Sequence, residues 1–378
     1  MLSSPSRPTL RLPAGMRDFA PEAAAARRRI AETLLGVFER WGFARVITPA
    51  FEYEDVLALG LGSAGRDAAI RFVEPSSGQV VALPPDITPQ IARMIATRFH
   101  DERGPLRFCY EGTVVRLDQR ARSQRAVIQA GVELAGVAGP RGDADVIALG
   151  AAALDATGLD DVTIALGHLG LAREVIDALG LPEAARADAR ARIAKRDRPG
   201  LAAILRGAKG AKAVVAFAAR LPELSGAPTL LTSALSGARA LPPGIREALE
   251  NLQDVVRDLS ARKVRARMHI DLGEVRGFDY YTGIRFQGYA DGSPEPVLQG
   301  GRYDALLARY GRPSPAVGFA IDVEATAVAI EAAADSVAPS KGDRGVLVVG
   351  PGDSATRASD ELRAKGRRVA LEFGELDE

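Results

Sequence analysis

One cysteine, Cys109, excludes an internal disulfide and fits a reducing compartment. Three histidines (His100, His168, His269) and that cysteine match no common zinc-ligand spacing, so no metal is expected. Neither sign of charge is in excess: Lys+Arg 49 against Asp+Glu 48 leaves no overall field to recruit nucleic acid or an acidic surface. No apolar run approaches the roughly 18 residues of a membrane span. The opening MLSSPSRPTLRLP lacks the apolar core of a signal peptide. These absences point to a cytoplasmic protein without a membrane role. No GxGxxG, GxSxG or P-loop pattern stands with the right flanks, so no cofactor is expected. No period of roughly 20 to 50 residues marks a repeat protein.

What is present is ordinary in bulk: 378 residues, 47% apolar and 26% charged, enough for one large domain with additions or for two. The informative stretch is EVRGFDYYTGIRFQ, residues 274–287. Alternating runs flank it, Met268 to Leu272 before and Ile284 to Phe286 after, both read as strands. Between them sit Arg276, Asp279, Tyr280 and Tyr281. A cation, a carboxylate and two phenols so close together suit the floor of a polar pocket that orients a small ligand. A surface hairpin with packed tyrosines is the alternative. Three other segments are candidate walls of the same site: residues 83–93, 108–136 and 299–304.

Along the chain, apolar positions Ile30, Leu34, Val37, Phe38 and Trp41 predict a helix over 22–41, ended by Gly42. Residues 43–48 read as a strand stopped by Pro49, at an edge or a strand end. A short helix is expected over 55–61, a loop over 62–67 and a strand over 80–83. Thr88 reads as the N-cap of a helix reaching Phe99, with Pro89 in its first turn. Asp86 precedes it, either as a turn residue or pointing into the site.

Alternation from Leu106 to Arg116 and again from Ala126 to Leu134 predicts two strands, with Gln129 and Glu133 on one side of the second. The same alternation makes Cys109 a packed small hydrophobe. The intervening loop holds Arg120, Arg122 and Arg125, which either grip a phosphate chain or are solvated. A helix over 143–156 and a strand over 162–166 lead to His168, read as structural because no partner acid stands nearby. Residues 182–259 form an Ala- and Arg-rich helical block, broken at Pro199-Gly200 and at 226–228, that looks inserted between the strands of the site. Strand ends and short helices follow to 334, then a linker and one strand-helix-strand unit whose expected role is packing.

In this order the segments resemble class II histidyl-tRNA synthetase across nearly all of residues 11–335. LPAGMRDFAPE resembles that family's opening, and the strand ending at Pro49 looks like its first motif, which builds the dimer interface. FCYEGTVVR through IQAGVELAG resembles the second motif. RGFDYYTG followed by GGRYD is similar to the histidine-specific signature, and AVGFAIDVEA resembles the third motif. The resemblance implies an α+β fold: an antiparallel sheet flanked by helices over 1–335, with the helical insertion at about 182–259 and a short α/β unit over 336–378. It further implies a histidine pocket in which Asp86, Thr88, Gln129 and Glu133 take the amino and imidazole groups. Tyr280 and Tyr281 close over the ring, and Arg276 and Arg116 face the carboxylate.

The departures from that family concern ATP. The third-motif arginine that lies against ATP is matched here by Ala325, and a glycine before it by Asp322. After Arg116 an acid-arginine pair is replaced by Asp118-Gln119, and Pro84 stands where arginine is common. The tail of roughly 40 residues is short beside an anticodon-binding domain. The chain therefore most closely resembles the regulatory subunits of ATP phosphoribosyltransferase, relatives of the synthetase that have lost catalysis. That resemblance implies a role without catalysis at the first step of histidine biosynthesis. It also implies a homodimer within a hetero-oligomer, a catalytic phosphoribosyltransferase partner, and L-histidine as feedback effector. The competing reading is a truncated ligase that activates histidine; a third is a stand-alone histidine- or transfer-RNA-binding module.

Overall fold

The structure is a computed structural model that describes residues 10–117, 125–277, 280–334, 346–349, 353–367 and 369–372. Contacts divide the chain into two compact units, Met1–Ala332 and Ala333–Glu378. In chain order the strands are β1 (Ala44–Arg45), β2 (Glu52–Tyr53), β3 (Arg71–Val73), β4 (Val80–Ala82), β5 (Leu106–Val115), β6 (Ala126–Ala135) and β7 (Val162–His168). Then come β8 (Ser225–Gly226), β9 (Arg267–Asp271), β10 (Ile284–Ala290), β11 (Leu298–Arg302), β12 (Ala316–Asp322), β13 (Val346–Val349) and β14 (Val369–Glu372). Nine of them build one mixed sheet in the order β1-β5-β6-β12-β11-β10-β7-β9-β8. Only β1 with β5 and β7 with β9 run parallel. A small sheet, β2-β4-β3, accompanies it in the same unit.

The sheet is two-faced because its strands alternate. One face is apolar. Cys109, Val132, Leu134, Val317, Phe319, Ile321, Phe286 and Ile164 pack with Leu34, Phe38, Ile147 and Leu154 of the helices Pro21–Arg40 and Pro140–Ala156. The Phe38 and Phe319 rings meet edge to face at 5.6 Å between centroids. The register puts every second residue on the other face. There Phe108, Glu133, Gly318, Gly301, Arg285 and Gly167 form one cross-strand row. Tyr110, Gly131, Ala320, Gln299 and Gln287 form the next, and Gln129 pairs with Asp322 beyond it. Small and polar residues are gathered on this face, which the helix Thr88–Arg98 partly covers through Ile87, Ile91 and Ile95.

Between β7 and β9 the chain detours through the helices Leu169–Ala178, Glu183–Ala194, Arg198–Leu205, Lys212–Arg220, Leu230–Gly237 and Pro243–Ala261. His168 Nδ1 accepts the Leu171 N–H at 3.0 Å and caps the first of them, a structural use. The second unit holds β13 and β14 in parallel with the helix Asp353–Ala364. No helix among the described residues is long and apolar enough to cross a membrane.

Several local expectations need correction. Residues 62–67 contain the helix Ser63–Ala68, too short for any period to reveal. The expected strand over 43–48 is reduced to Ala44–Arg45, because it meets only β5 at the sheet edge. Thr88 is the first helical residue and not the cap. The Thr88 N–H is instead accepted by Asp86 Oδ1 at 3.1 Å. Pro199-Gly200 begins a helix and does not break one, since Asp197 Oδ1 accepts the Gly200 N–H at 2.9 Å.

Arg302, at the end of β11, ties the sheet to the helix behind it. Its Nε donates to Asp143 Oδ1 at 2.8 Å, and its Nη1 to Asp304 Oδ1 at 2.9 Å and the Val137 carbonyl at 3.1 Å. Burial pushes the Asp143 carboxyl up to about 6 against the pull of Arg302. Breaking a buried pair strands one charge, whereas replacing both partners removes the problem. Arg302→Ala is expected to lower unfolding free energy in urea by about 3–5 kcal/mol, and the double variant Arg302→Met/Asp143→Leu to recover most of it.

Candidate ligand-binding site

The site begins with missing side chains. A Cβ on Gly318 would run into Glu133 Oε2 and stand 2.5 Å from the Tyr303 hydroxyl. One on Gly131 would stand 2.5 Å from the Tyr110 hydroxyl, and one on Gly301 2.6 Å from the Tyr281 ring. Glycines on β6, β11 and β12 thus let a carboxyl and three phenols lie flat on the sheet. Tyr280, Tyr281 and Tyr303 form a cluster above them. The Tyr280 ring meets Tyr281 edge to face at 5.0 Å and Tyr303 at 5.4 Å between centroids. The turn carrying the pair is fixed by the Gly277 carbonyl, which accepts the N–H groups of Tyr280 and Tyr281 at 3.0 Å each.

These groups enclose a cavity of about 120 Å³ lined by Asp86, Thr88, Arg116, Gln129, Tyr280 and Tyr281, with Tyr303, Gln299 and Asp322 on the remaining sides. The Glu133 carboxyl is buried beside Thr88 and Tyr303. Arg116 is positioned by its Nε, which donates to the Pro85 carbonyl at 2.7 Å. Asp322 Oδ1 accepts the N–H groups of Glu324 and Ala325, both at 2.9 Å, and caps the following helix Val323–Ala334. Ala325 itself is buried in the apolar core. A second groove, of about 1010 Å³ and lined by Ile47, Pro49, Phe51, Tyr53, Arg93 and Phe99 among others, is larger but more open.

The small cavity holds the unusual chemistry. Both Glu133 oxygens, Gln129 Oε1 and the hydroxyls of Tyr110, Tyr280 and Tyr303 are buried without a well-formed hydrogen bond among the described residues, although the Thr88 hydroxyl lies close enough to Glu133, Tyr110 and Tyr280 to act on them. Each such group costs about 1–3 kcal/mol when left unsatisfied, so a cluster of them marks a place built for something else. Burial pushes the Glu133 carboxyl well above the usual carboxylate range; the Thr88 hydroxyl beside it pulls the other way, and the Asp86 charge adds to the rise. Burial also raises the hydroxyls of Tyr110 and Tyr280, helped by the Glu133 and Asp86 charges. A buried carboxyl ringed by phenols suits a small molecule that brings hydrogen-bond donors and a positive charge, because a cation placed beside it would offset its burial and favour its ionised, accepting form.

Of the eight residues expected at the pocket, seven come together: Asp86, Thr88, Arg116, Gln129, Glu133, Tyr280 and Tyr281. Arg276 is the exception. Its Nε and Nη2 donate to Glu274 at 3.0 and 2.6 Å, so a carboxylate two residues away holds it off the cleft lining. Asp279 and residues 118–124, with Arg120 and Arg122, lie outside the described residues. Tyr110 and Tyr303 lie in segments expected as walls, 108–136 and 299–304, but were not singled out as contributors. Tyr303 sits within GGRYD, and Tyr110 shares its strand parity with Phe108 opposite Glu133, which is the signal that was available. No cluster of metal-ligating side chains exists among the described residues.

Comparison with known proteins finds relatives over most of the chain. The family model for histidyl-tRNA synthetase matches residues 15–326. An ATP phosphoribosyltransferase regulatory subunit of Geobacter sulfurreducens is 40% identical over 366 residues, covering 96% of this chain and 83% of that one. One from Anaeromyxobacter sp. (strain Fw109-5) is 44% identical over 330 residues, covering 86% and 94%. A crystal structure of an ATP phosphoribosyltransferase regulatory subunit/histidyl-tRNA synthetase from Bacillus halodurans C superposes with a TM-score of 0.85 at 26% identity, over 98% of this chain and 95% of that one.

The orphaned hydroxyls give a test that needs no ligand. Removing a buried tyrosine hydroxyl usually costs about 0.5–1.5 kcal/mol because a hydrogen bond goes with it. Tyr110→Phe is expected to be neutral or stabilising in thermal and urea unfolding of the empty protein. A clear loss of stability would mean that the hydroxyl has an internal partner and is not held open for a ligand.

Proposed function

The chain belongs to the ATP phosphoribosyltransferase regulatory subunits, built on the histidyl-tRNA synthetase fold, and on that premise we propose that its tyrosine-lined cavity binds free L-histidine as a regulatory signal. The observation that carries this reading is the buried Glu133 carboxyl without a well-formed hydrogen bond, ringed by three phenols. Histidine supplies what those groups lack: an ammonium for Asp86 and Glu133, ring nitrogens for Glu133, Gln129 and the tyrosine hydroxyls, and a carboxylate for Arg116. A cavity of about 120 Å³ suits a single small metabolite.

The same cavity is poorly suited to nucleotide chemistry. A triphosphate needs cations, and the wall at the end of β12 offers the Asp322 carboxylate, which would repel it. Where a working synthetase places an arginine, Ala325 is buried in the core and presents nothing. We therefore read the chain as lacking aminoacylation activity and serving a catalytic phosphoribosyltransferase subunit at the first step of histidine biosynthesis. The partner supplies the reaction, and this chain supplies the sensor.

The large groove fits a second copy of the chain. Its rim exposes Ile47 at 84%, together with Phe51 and Tyr53, next to the strand that resembles a class II dimer motif. A homodimer through this surface is expected to appear in light scattering at micromolar concentration without any partner, and Ile47→Arg/Phe51→Arg to shift it to monomer.

The central test is calorimetry. Histidine is expected to bind the wild-type chain, and Glu133→Ala or Tyr281→Phe to weaken it by about 2–3 kcal/mol, the scale of a lost charge-assisted hydrogen bond. Histidine-dependent ATP–pyrophosphate exchange is expected to be absent; robust exchange would favour an activating ligase. In a reconstituted complex, histidine should inhibit with the wild-type chain and not with Glu133→Ala. Full inhibition with that variant would place the regulatory site elsewhere.

A further inference from the structure

The Glu274 carboxylate is buried at the head of the turn that carries Tyr280 and Tyr281, and its hydrogen-bonding capacity is full. Oε1 accepts the Arg276 backbone N–H at 2.8 Å and Arg276 Nε at 3.0 Å. Oε2 accepts Arg276 Nη2 at 2.6 Å and Arg285 Nη1 at 2.7 Å. Burial alone would raise this carboxyl, but the bonds from Arg276 and the charge of Arg285 hold it below the usual range.

The two arginines differ in what they would lose by leaving. The Arg285 side chain is 10% exposed, also donates to Gln287 Oε1 at 2.8 Å, and stands 5.9 Å from the centre of the Tyr281 ring. The Arg276 side chain is 58% exposed. If the Arg276 guanidinium departs, Glu274 keeps Arg285 and the Arg276 amide, so no buried charge is stranded. What breaks is an ion pair between a half-exposed guanidinium and a buried carboxylate, screened by solvent on the arginine side only. Gly277 follows directly at φ +75°, a conformation that glycine adopts freely, and its Cβ position is filled by the Tyr281 ring edge.

The cavity is meanwhile richer in acid than in base. Asp86, Glu133 and Asp322 border it, whereas Arg116 is its one lining cation among the described residues and has already committed its Nε to Pro85. A zwitterion can be held by its ammonium there, but its carboxylate meets only a partly engaged guanidinium.

We propose that Glu274 holds Arg276 in reserve, and so sets how strongly the cavity prefers ligands that carry a carboxylate. This rests on the histidine reading above and goes beyond it. An amino acid entering the cavity competes with Glu274 for the guanidinium, and Arg276 turns from the internal carboxylate to that of the ligand. A ligand with an alcohol in that position leaves the Glu274–Arg276 pair intact.

The experiment compares histidine with histidinol, which replaces the carboxylate by an alcohol, in calorimetric titrations of the full chain. Glu274→Gln keeps an acceptor for Arg285 but removes the competing charge. It is expected to tighten histidine about two- to fivefold, the scale of an ion pair screened by solvent on one side, and to leave histidinol unchanged. Arg276→Ala is expected to weaken histidine about tenfold, the scale of a hydrogen bond to a charged group, again with histidinol unchanged. If either variant shifts both ligands equally, or Arg276→Ala leaves their ratio intact, Glu274 is a structural brace and the proposal falls. Should Glu274→Gln fail to fold, Glu274→Asp, which draws the carboxylate back from Arg276 and keeps its charge beside Arg285, takes its place with the same expected contrast between the two ligands. A wild-type chain that binds neither ligand overturns the histidine reading itself and this inference with it; binding of both with equal affinity overturns only the inference.

Discussion

The pairing of Glu133 on β6 with Gly318 on β12 settles the rest of the site. It places a buried carboxyl against a strand with no side chain at that point, and a Cβ on Gly318 would collide with it. Because side chains alternate, the same register sends Val132, Leu134, Val317 and Phe319 to the opposite face, where they join the apolar core with Phe38 and Ile147. A slip of one residue would carry the carboxyl into that core and bring the core residues into the cavity. The core therefore enforces the site. Burial of apolar surface on one face holds polar groups, which would otherwise avoid burial, on the other.

That arrangement explains which parts were legible in the sequence. The alternation of 106–115 and 126–135 is a strong signal because one face of each strand is apolar. It placed Gln129 and Glu133 together without any structure. Tyr110 and Tyr303 were legible as members of two wall segments and not as individual site residues. A tyrosine in an alternating strand reads as core, and only the absence of a well-formed hydrogen bond to its hydroxyl distinguishes it. What was not legible about Arg276 is that it is already paired. Its competitor Glu274 is two residues away and bonds across a turn, a geometry that strand or helix periodicity does not report. The short helix Ser63–Ala68 escaped because six residues span fewer than two helical turns, and β1 was expected too long because it meets only β5 at the sheet edge.

On the reading proposed above, loss of nucleotide chemistry and retention of the small-molecule pocket are compatible because they concern different strand positions. Gly318 and Gly301, which make room for Glu133 and the tyrosines, sit toward one side of the sheet face. Asp322 is at the end of β12, where its carboxylate caps the next helix and turns Ala325 into the core. A change at that end closes off an anion without touching the glycine floor.

An empty cavity lined by orphaned polar groups is a poor scaffold but a good sensor. Each unsatisfied group costs about 1–3 kcal/mol until a ligand reaches it. A ligand that satisfies several at once binds the assembled cavity much better than one in which Tyr280–Tyr281 or the Asp86–Thr88 turn has moved away. Shifting a two-state equilibrium from one extreme to the other needs a difference of about 5.5 kcal/mol. Three or four such groups supply that scale without any contact outside the cavity. The coupling also runs in reverse: whatever pulls the tyrosine turn from the sheet weakens the ligand by the same factor. A regulatory subunit built this way needs no catalytic residue. On the histidine reading proposed above, its output is the difference between a cavity whose hydrogen bonds are made and one whose hydrogen bonds are not.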